Sequence, residues 1–346
     1  MSSVDTDLGR QAGNAHGAPV LEVSGLTVEA RASGAPLRLV EDVSLTVRAG
    51  QTLGLVGESG SGKTMTAMAI LGLLPRGITV TSGHAAYGRS DLLSLSTKEL
   101  NALRGREIGV IFQEPRRSLN PAFTVGEQIA EVVRRHSDAT RRQAWQRAVE
   151  LLGMVGIPQP ARRARDYPHA FSGGMCQRLM IAASVACEPR LLLADEPTTS
   201  LDVTVQAQVL SLLVNLQEQF DLGILFITHD LGVVAEVCHS VSVMYAGQVV
   251  EHASVEDIFL HPQHPYTEGL LGAIPSIEEP DARLVAIEGT VPTYADLPSG
   301  CRFHPRCRYM LEGPCTDAPP PLSDLGGERQ CRCVRVTSLS LKGIDD

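Results

Sequence analysis

Apolar and polar positions alternate along the first part of the chain. Val20 to Val28 (VLEVSGLTV) and Leu37 to Val47 (LRLVEDVSLTV) carry the period of two expected of antiparallel strands with one wet face. The pattern then changes. Thr52 to Val56 (TLGLV) is nearly all apolar, as in a strand buried on both faces. It runs into a glycine-rich turn and then Met65 to Leu74, which predicts a helix stopped by Pro75. Ile108 to Phe112, Leu191 to Ala194 and Ile224 to Thr228 are further apolar runs that predict buried strands, with helices between them. Val125 to Arg135 and Thr140 to Val155 place apolar residues at helical spacing among many Arg, which predicts a mostly helical insert. Val241 to Met244 and Gln248 to Glu251, around Ala246-Gly247, predict a hairpin. Beyond Pro262 the periodicity weakens while Pro and Gly rise, so a long irregular tail is expected. The organisation expected is a disordered leader over 1–19, an α/β domain over 20–260 with an antiparallel β subdomain and a helical subdomain at about 120–175, and a tail over 261–346.

Composition narrows the field of functions. The chain has 346 residues, 43% hydrophobic and 20% charged, which is ordinary for a globular protein of about two domains. Its net charge of -9 argues against a general nucleic-acid binder, which needs excess cation for the phosphates. No apolar run approaches the ~18 to 20 residues of a membrane helix. Met1 to Val20 lacks a basic start followed by an apolar stretch, so a cytosolic protein is expected, free to dock on a membrane through a partner. Eight Cys in such a chain are not expected to form structural disulfides. Five of them, Cys301, Cys307, Cys315, Cys331 and Cys333, crowd the tail, and this points to a metal site.

The sharpest chemical signal is Gly57-Glu58-Ser59-Gly60-Ser61-Gly62-Lys63-Thr64, which fits G-x-x-x-x-G-K-[ST] between a buried strand and a helix. Glycines let backbone N–H groups turn onto phosphate oxygens, and the start of the helix adds its positive end. Lys63 brings charge to the β and γ phosphates, and the Thr64 hydroxyl suits Mg²⁺. Leu191 to Glu196 (LLLADE) carries Asp195 to a strand end, where it can hold the same ion. Glu196, next to it, is placed to polarise an attacking water as general base. Gln113 and His229 also end apolar strands. On spacing alone a structural histidine is the stronger reading for His229 over a contact to the γ-phosphate, and Gln113 reads either as a contact to the metal or as an ordinary exposed amide.

These residues, with Phe171 to Arg178 (FSGGMCQR), resemble the nucleotide-binding subunits of ABC transporters, and within them the ATPase subunits of dipeptide, oligopeptide and nickel importers. The resemblance runs from about Val20 to Val334. It is carried further by FQEPRRSLNP (Phe112 to Pro121), YPHAFSGGM (Tyr167 to Met175), LLLADEPTTSLDVTVQAQ (Leu191 to Gln208), HPYTEGLL (His264 to Leu271) and GCRFHPRC (Gly300 to Cys307). It implies that Gln113 senses Mg²⁺ and the membrane partner, and that His229 is the switch histidine. It also implies that Ser172, Gly173 and Gly174 form a signature binding the γ-phosphate held by the opposite subunit, with Ser200, Leu201 and Asp202 at the same interface. The partners implied are a second ATPase chain, two transmembrane permease subunits and an extracytoplasmic substrate-binding protein, with the chain on the cytoplasmic face of the membrane and the cofactors ATP and Mg²⁺. The sequence departs from the family's general pattern at Met175, at Cys176 and at Ala30. At Ala30 an aromatic ring is expected to stack on adenine, and the neighbouring Arg31 offers a planar alternative.

In the tail, five residues separate Cys301 from Cys307 and seven separate Cys307 from Cys315. Zinc sites favour closer pairs, whereas a [4Fe–4S] cluster tolerates such spacing. The importer branch has a similar tail in which Cys333 matches the last cysteine better than Cys331. Cys301, Cys307, Cys315 and Cys333 are therefore expected to hold [4Fe–4S], with unligated thiols and zinc as the alternatives. Three functions compete: a transport ATPase for peptides or nickel chelates, a soluble ABC protein of translation or repair, and an iron–sulfur sensor. A single phosphate loop without sustained heptads disfavours the second, and intact Lys63 and Glu196 disfavour the third.

Overall fold

The uninterrupted apolar runs lie side by side at the centre of an eight-stranded sheet. The computed structural model describes residues 17–31, 36–199, 201–274 and 287–344. The strands are β1 (Pro19–Ala30), β2 (Leu37–Arg48), β3 (Thr52–Val56), β4 (Ile78–Tyr87), β5 (Ser90–Asp91), β6 (Ile108–Ile111), β7 (Leu191–Asp195), β8 (Gly223–Thr228), β9 (Ser240–Tyr245), β10 (Gln248–Ser254), β11 (Ser323–Gly326) and β12 (Arg329–Cys331). The main sheet has the order β11-β12-β10-β9-β3-β8-β7-β6. The five strands β9, β3, β8, β7 and β6 are parallel, and the β10–β12–β11 edge is antiparallel. The alternating segments β1 and β2 pair antiparallel in a second sheet of order β2-β1-β4-β5. Burial on both faces explains the unbroken apolar runs. Leu191 and Leu193 of β7 enter the core shared with the antiparallel sheet, whereas Leu192 and Ala194 enter the core under the helices.

The main helices are α1 (Lys63–Ile70), α2 (Val125–His136), α3 (Arg141–Met154), α4 (Gly173–Ser184), α5 (Val203–Phe220), α6 (Leu231–Val237) and α7 (Pro265–Leu271). The insert is helical as expected. Thr124 and Thr140 cap α2 and α3, and Val125, Ile129, Ala130 and Val133 form the buried stripe of α2. Helix α1 begins and ends earlier than the apolar pattern predicts, because Gly62 and Gly72 adopt positive φ on either side of it. Gly174 lets α4 approach α5, since a Cβ there would meet Val205 Cγ1 at 2.5 Å.

The tail departs from its expected irregularity at helix α7 and again further on. Ser323–Gly326 and Arg329–Cys331 form a short hairpin that extends the main sheet beyond β10. Tyr266 and Phe303 enter a third core with Tyr245 of β9. Most of the leader expected over 1–19, and Ser200, lie outside the described residues. Among the described residues no helix is long and apolar enough to cross a membrane.

Candidate functional site

The loop between β3 and α1 wraps its own lysine. Lys63 Nζ donates to the carbonyls of Gly57 at 2.7 Å and Glu58 at 3.0 Å, and to Ser61 Oγ at 3.4 Å. Gly57, Gly60 and Gly62 all have positive φ, which turns the loop in a way side-chain-bearing residues resist. Burial lowers the Lys63 pKa, while Glu196, Asp195 and Glu58 pull it back up. The ammonium therefore lacks a full solvent shell and sits among carboxylates, where an incoming phosphate can displace the loop carbonyls as its partner.

Strand β7 brings the acidic pair to this loop. Thr64 Oγ1 donates to Asp195 Oδ1 at 3.2 Å. Burial raises the Asp195 pKa, opposed by the Thr64 hydrogen bond and by Lys63. A hydroxyl beside a half-buried carboxylate is an oxygen pair suited to a hard divalent cation, so Thr64 and Asp195 fit Mg²⁺. Gln113, expected beside them, lies one step away: its Nε2 donates to Glu196 Oε2 at 2.8 Å.

Glu196 is the hub. Its Oε2 also accepts from Thr199 Oγ1 at 2.8 Å, and its Oε1 lies 3.1 Å from His229 Nδ1. A carboxylate only accepts, so Nδ1 of His229 is the donor in this contact. Burial pushes the Glu196 pKa up, but the hydrogen bonds from Thr199 and His229 and the charge of Lys63 outweigh it and leave the pKa below its ordinary value. The residue adopts φ of 48°, a left-handed conformation that non-glycine residues rarely take. Thr199 falls within the run Leu191 to Gln208, but the sequence marks no role for it. Its only signal was a hydroxyl three positions after the glutamate.

The signature lies apart from these groups, at the start of α4 in the helical layer. Ser172 caps that helix, its Oγ accepting from Met175 N–H at 3.3 Å. Ala30 ends β1 and supplies no ring, and Arg31 beside it is exposed. Cys176 is buried against the carbonyls of Pro168 and Phe171.

The tail brings four of its five cysteines to one cavity of about 20 Å³, lined by Cys301, Cys307, Cys315 and Cys333. Cys331 turns away, its Sγ towards the Gln263 carbonyl at 3.4 Å. Gly300, at positive φ, permits the closure, because a Cβ there would meet the Cys315 carbonyl at 2.4 Å. Burial pushes the Cys301 thiol up to about 11. The N–H of Phe303 opposes this, and the thiols of Cys333, Cys307 and Cys315 add to it. Cys307 and Cys333 are raised by burial in the same way, and each receives an opposing N–H two residues on, from Tyr309 and Arg335. Yet among the described residues no three His, Cys, Asp or Glu side chains are arranged to hold a metal ion. This corrects the expectation of a formed metal site: the thiols line a cavity and do not meet at one point, so zinc, which needs them at ~2.3 Å around a single ion, has no geometric support.

The sequence model of the ABC transporter family matches residues 40–199, and that of the oligopeptide/dipeptide transporter C-terminal region matches residues 250–315. A protein of Brucella abortus, provisionally named a peptide import ATP-binding protein, is 47% identical over 316 residues, covering 91% of this chain and 95% of its own. A similarly named protein of Brucella melitensis is 46% identical over 329 residues, covering 92% and 97%. Among solved structures, a dimeric ATP-binding cassette in a post-hydrolysis state, bound to ADP and Pi, superposes with a TM-score of 0.61 at 25% identity over 68% of this chain and 98% of its own. The chain belongs to the ABC transporter family, and its cassette is an ATPase that works with ATP and Mg²⁺.

Proposed function

We propose that the chain drives import of di- or oligopeptides through a membrane permease, as the ATP-hydrolysing subunit on its cytoplasmic face. The observation that carries the catalytic part is the convergence of Gln113, Thr199 and His229 on Glu196 beside the Thr64–Asp195 pair. In this reading Gly57 to Thr64 cradle the phosphates and Lys63 offsets their charge. Thr64 and Asp195, with Gln113, hold Mg²⁺, which draws charge from the phosphate oxygens when bound. Glu196 takes the proton of the attacking water, and His229 fixes the carboxylate's direction. Ser172, Gly173 and Gly174 serve the nucleotide of a second ATPase chain, so that two chains complete each site. Two permease subunits and an extracytoplasmic binding protein complete the system.

The peptide cargo is supported by the C-terminal-region match and by the two Brucella relatives. The test is uptake of a labelled dipeptide into vesicles carrying the reconstituted permease and both ATPase chains. ATP-dependent uptake is expected. Uptake of a nickel chelate instead would reassign the cargo, and failure of the chain to sediment with permease-containing membranes would favour a non-transport ABC ATPase.

We further infer that Cys301, Cys307, Cys315 and Cys333 hold a [4Fe–4S] cluster. What supports this reading is that these four cysteines line one cavity while Cys331 turns away; at about 20 Å³ that cavity would have to widen to admit a cluster. Such a cluster would cross-link a segment with little regular structure.

A further inference from the structure

The phosphate loop is held from outside as well as from within. Arg306, 248 residues downstream, sets Nη1 at 2.7 Å from Glu58 Oε2 and Nη2 at 3.1 Å from Glu58 Oε1. Its side chain is 5% exposed. Arg306 is itself fixed, with Nε donating to the Glu288 carbonyl at 2.9 Å and Nη1 3.4 Å from Tyr245 Oη. The Tyr266 hydroxyl, fully buried, accepts the Glu58 N–H at 2.9 Å. Tyr294 Oη donates to the Gly60 carbonyl at 2.6 Å. Three side chains from beyond residue 260 thus grip two consecutive turns of one loop.

The grip matters because the loop has little stiffness of its own. Its glycines at 57, 60 and 62 occupy positive φ, and glycine pays the largest conformational entropy to be held in one place. Across a trans peptide the carbonyl and the following N–H point in opposite directions. Holding the Gly60 carbonyl outward therefore turns the Ser61 N–H inward, where it now lies 3.2 Å from the Glu58 carbonyl. A bidentate guanidinium–carboxylate pair fixes direction as well as distance, so Arg306 orients the Glu58 backbone as a whole.

We propose that Arg306 and Tyr294 are positioning residues for nucleotide: the C-terminal region holds the phosphate loop in its binding form, and nucleotide binding in turn tightens that region. The coupling is reciprocal by thermodynamic necessity. It stands whether or not the cysteine cavity is filled.

The test uses the full chain and Mg·ADP as probe, by calorimetry, with ATP turnover measured on the assembled complex. Arg306→Gln should weaken Mg·ADP binding about tenfold, the scale of a lost charged hydrogen-bond pair. Arg306→Lys should recover part of this. Glu58→Gln combined with Arg306→Gln should be no worse than Arg306→Gln alone, because both remove the same ion pair. Tyr294→Phe should weaken binding about threefold while leaving the nucleotide-free unfolding midpoint unchanged. In turnover, KM for ATP should rise with kcat nearly constant. Mg·ADP should also slow proteolysis between residues 287 and 306 in the wild type but not in Arg306→Gln. If Arg306→Gln does not fold, Tyr294→Phe decides alone. Unchanged affinity in Tyr294→Phe, or equal loss in kcat and kcat/KM across the series, would overturn the proposal.

Discussion

At the carboxyl ends of β3 and β7 the polar side chains satisfy one another at the edge of solvent. The Glu196 side chain is 16% exposed and that of His229 56%. Around β10 and the tail, comparable groups are sealed in: Glu251 and His264 are each 1% exposed. Glu251 accepts the N–H groups of Gln263 at 2.6 Å and His264 at 2.9 Å, yet burial still pushes its pKa up to about 7. Burial drives His264 down to about 3, so the ring is neutral under physiological conditions. Glu196 keeps its charge through hydrogen bonds to its ionised form, whereas burial suppresses charge on Glu251 and His264. Hydrogen-bond donors aimed at the carboxylate, and not exposure alone, make that difference.

The largest expected effect strikes the exposed side of this comparison. Glu196→Gln should lower turnover by ~10² to 10⁴ while ATP binding persists. Phosphate release by the assembled complex measures it, and an unchanged rate would remove Glu196 from the base role. On the sealed side, Cys301→Ser should take an anaerobically purified protein from about four irons per chain to almost none, whereas Cys331→Ser should keep them. Colourless wild-type protein with freely reactive thiols would end the cluster assignment.

Stability against pH separates the two regions next. Folded Glu251 holds a proton up to about pH 7 that the unfolded chain releases near its ordinary value of 4.5. Stability should therefore fall as pH rises between these values, by at most about 3 kcal/mol, and level off above. Glu251→Gln should flatten that slope in unfolding midpoints, and an unaltered slope would mean the group is ionised in place. The smallest effect concerns Thr199. With Gln113 and His229 still on the carboxylate, Thr199→Val should cost turnover only about threefold, as one neutral hydrogen bond does. It should also raise the acid limb of the pH–rate profile, because the Thr199 hydroxyl is the foremost group holding the Glu196 pKa down. A profile that does not move would mean that Thr199 is packing alone.

How far the sequence could be read follows the same division. Gly57 to Thr64 is legible because its chemistry is local: strand, turn, lysine and hydroxyl fall within one short run. The buried strands were visible because burial on both faces removes polar residues altogether. By contrast β4 was missed. Of its ten residues, ITVTSGHAAY, only Ala85 is fully buried, and the alternation begun by Ile78 and Val80 stops at Ser82, Gly83 and His84. The helix Thr97–Leu103, absent from the expected elements, does carry a local signal, the Ser96–Glu99 capping box. In the sequence only resemblance tells Cys333 from Cys331; in the structure Cys333 lines the cavity and Cys331 does not. The Arg306–Glu58 pair had no signal at all, since nothing in either segment announces a partner 248 positions away.

The hairpin of β11 and β12 has a practical consequence for anyone shortening this chain. The C-terminal-region match ends at residue 315, which invites a cut just beyond it. Such a cut would remove Arg329–Cys331 and uncover the outer edge of β10, where Glu251 and His252 now pair with Cys331 and Gln330. A bare edge of this kind is a template for strands from other molecules. It would here carry the apolar Val249 and Val250, both buried in the intact chain. The hairpin thus covers the β10 edge, and a truncated protein that precipitates would be reporting that uncovered strand, with the phosphate loop and its acidic pair still in the chain.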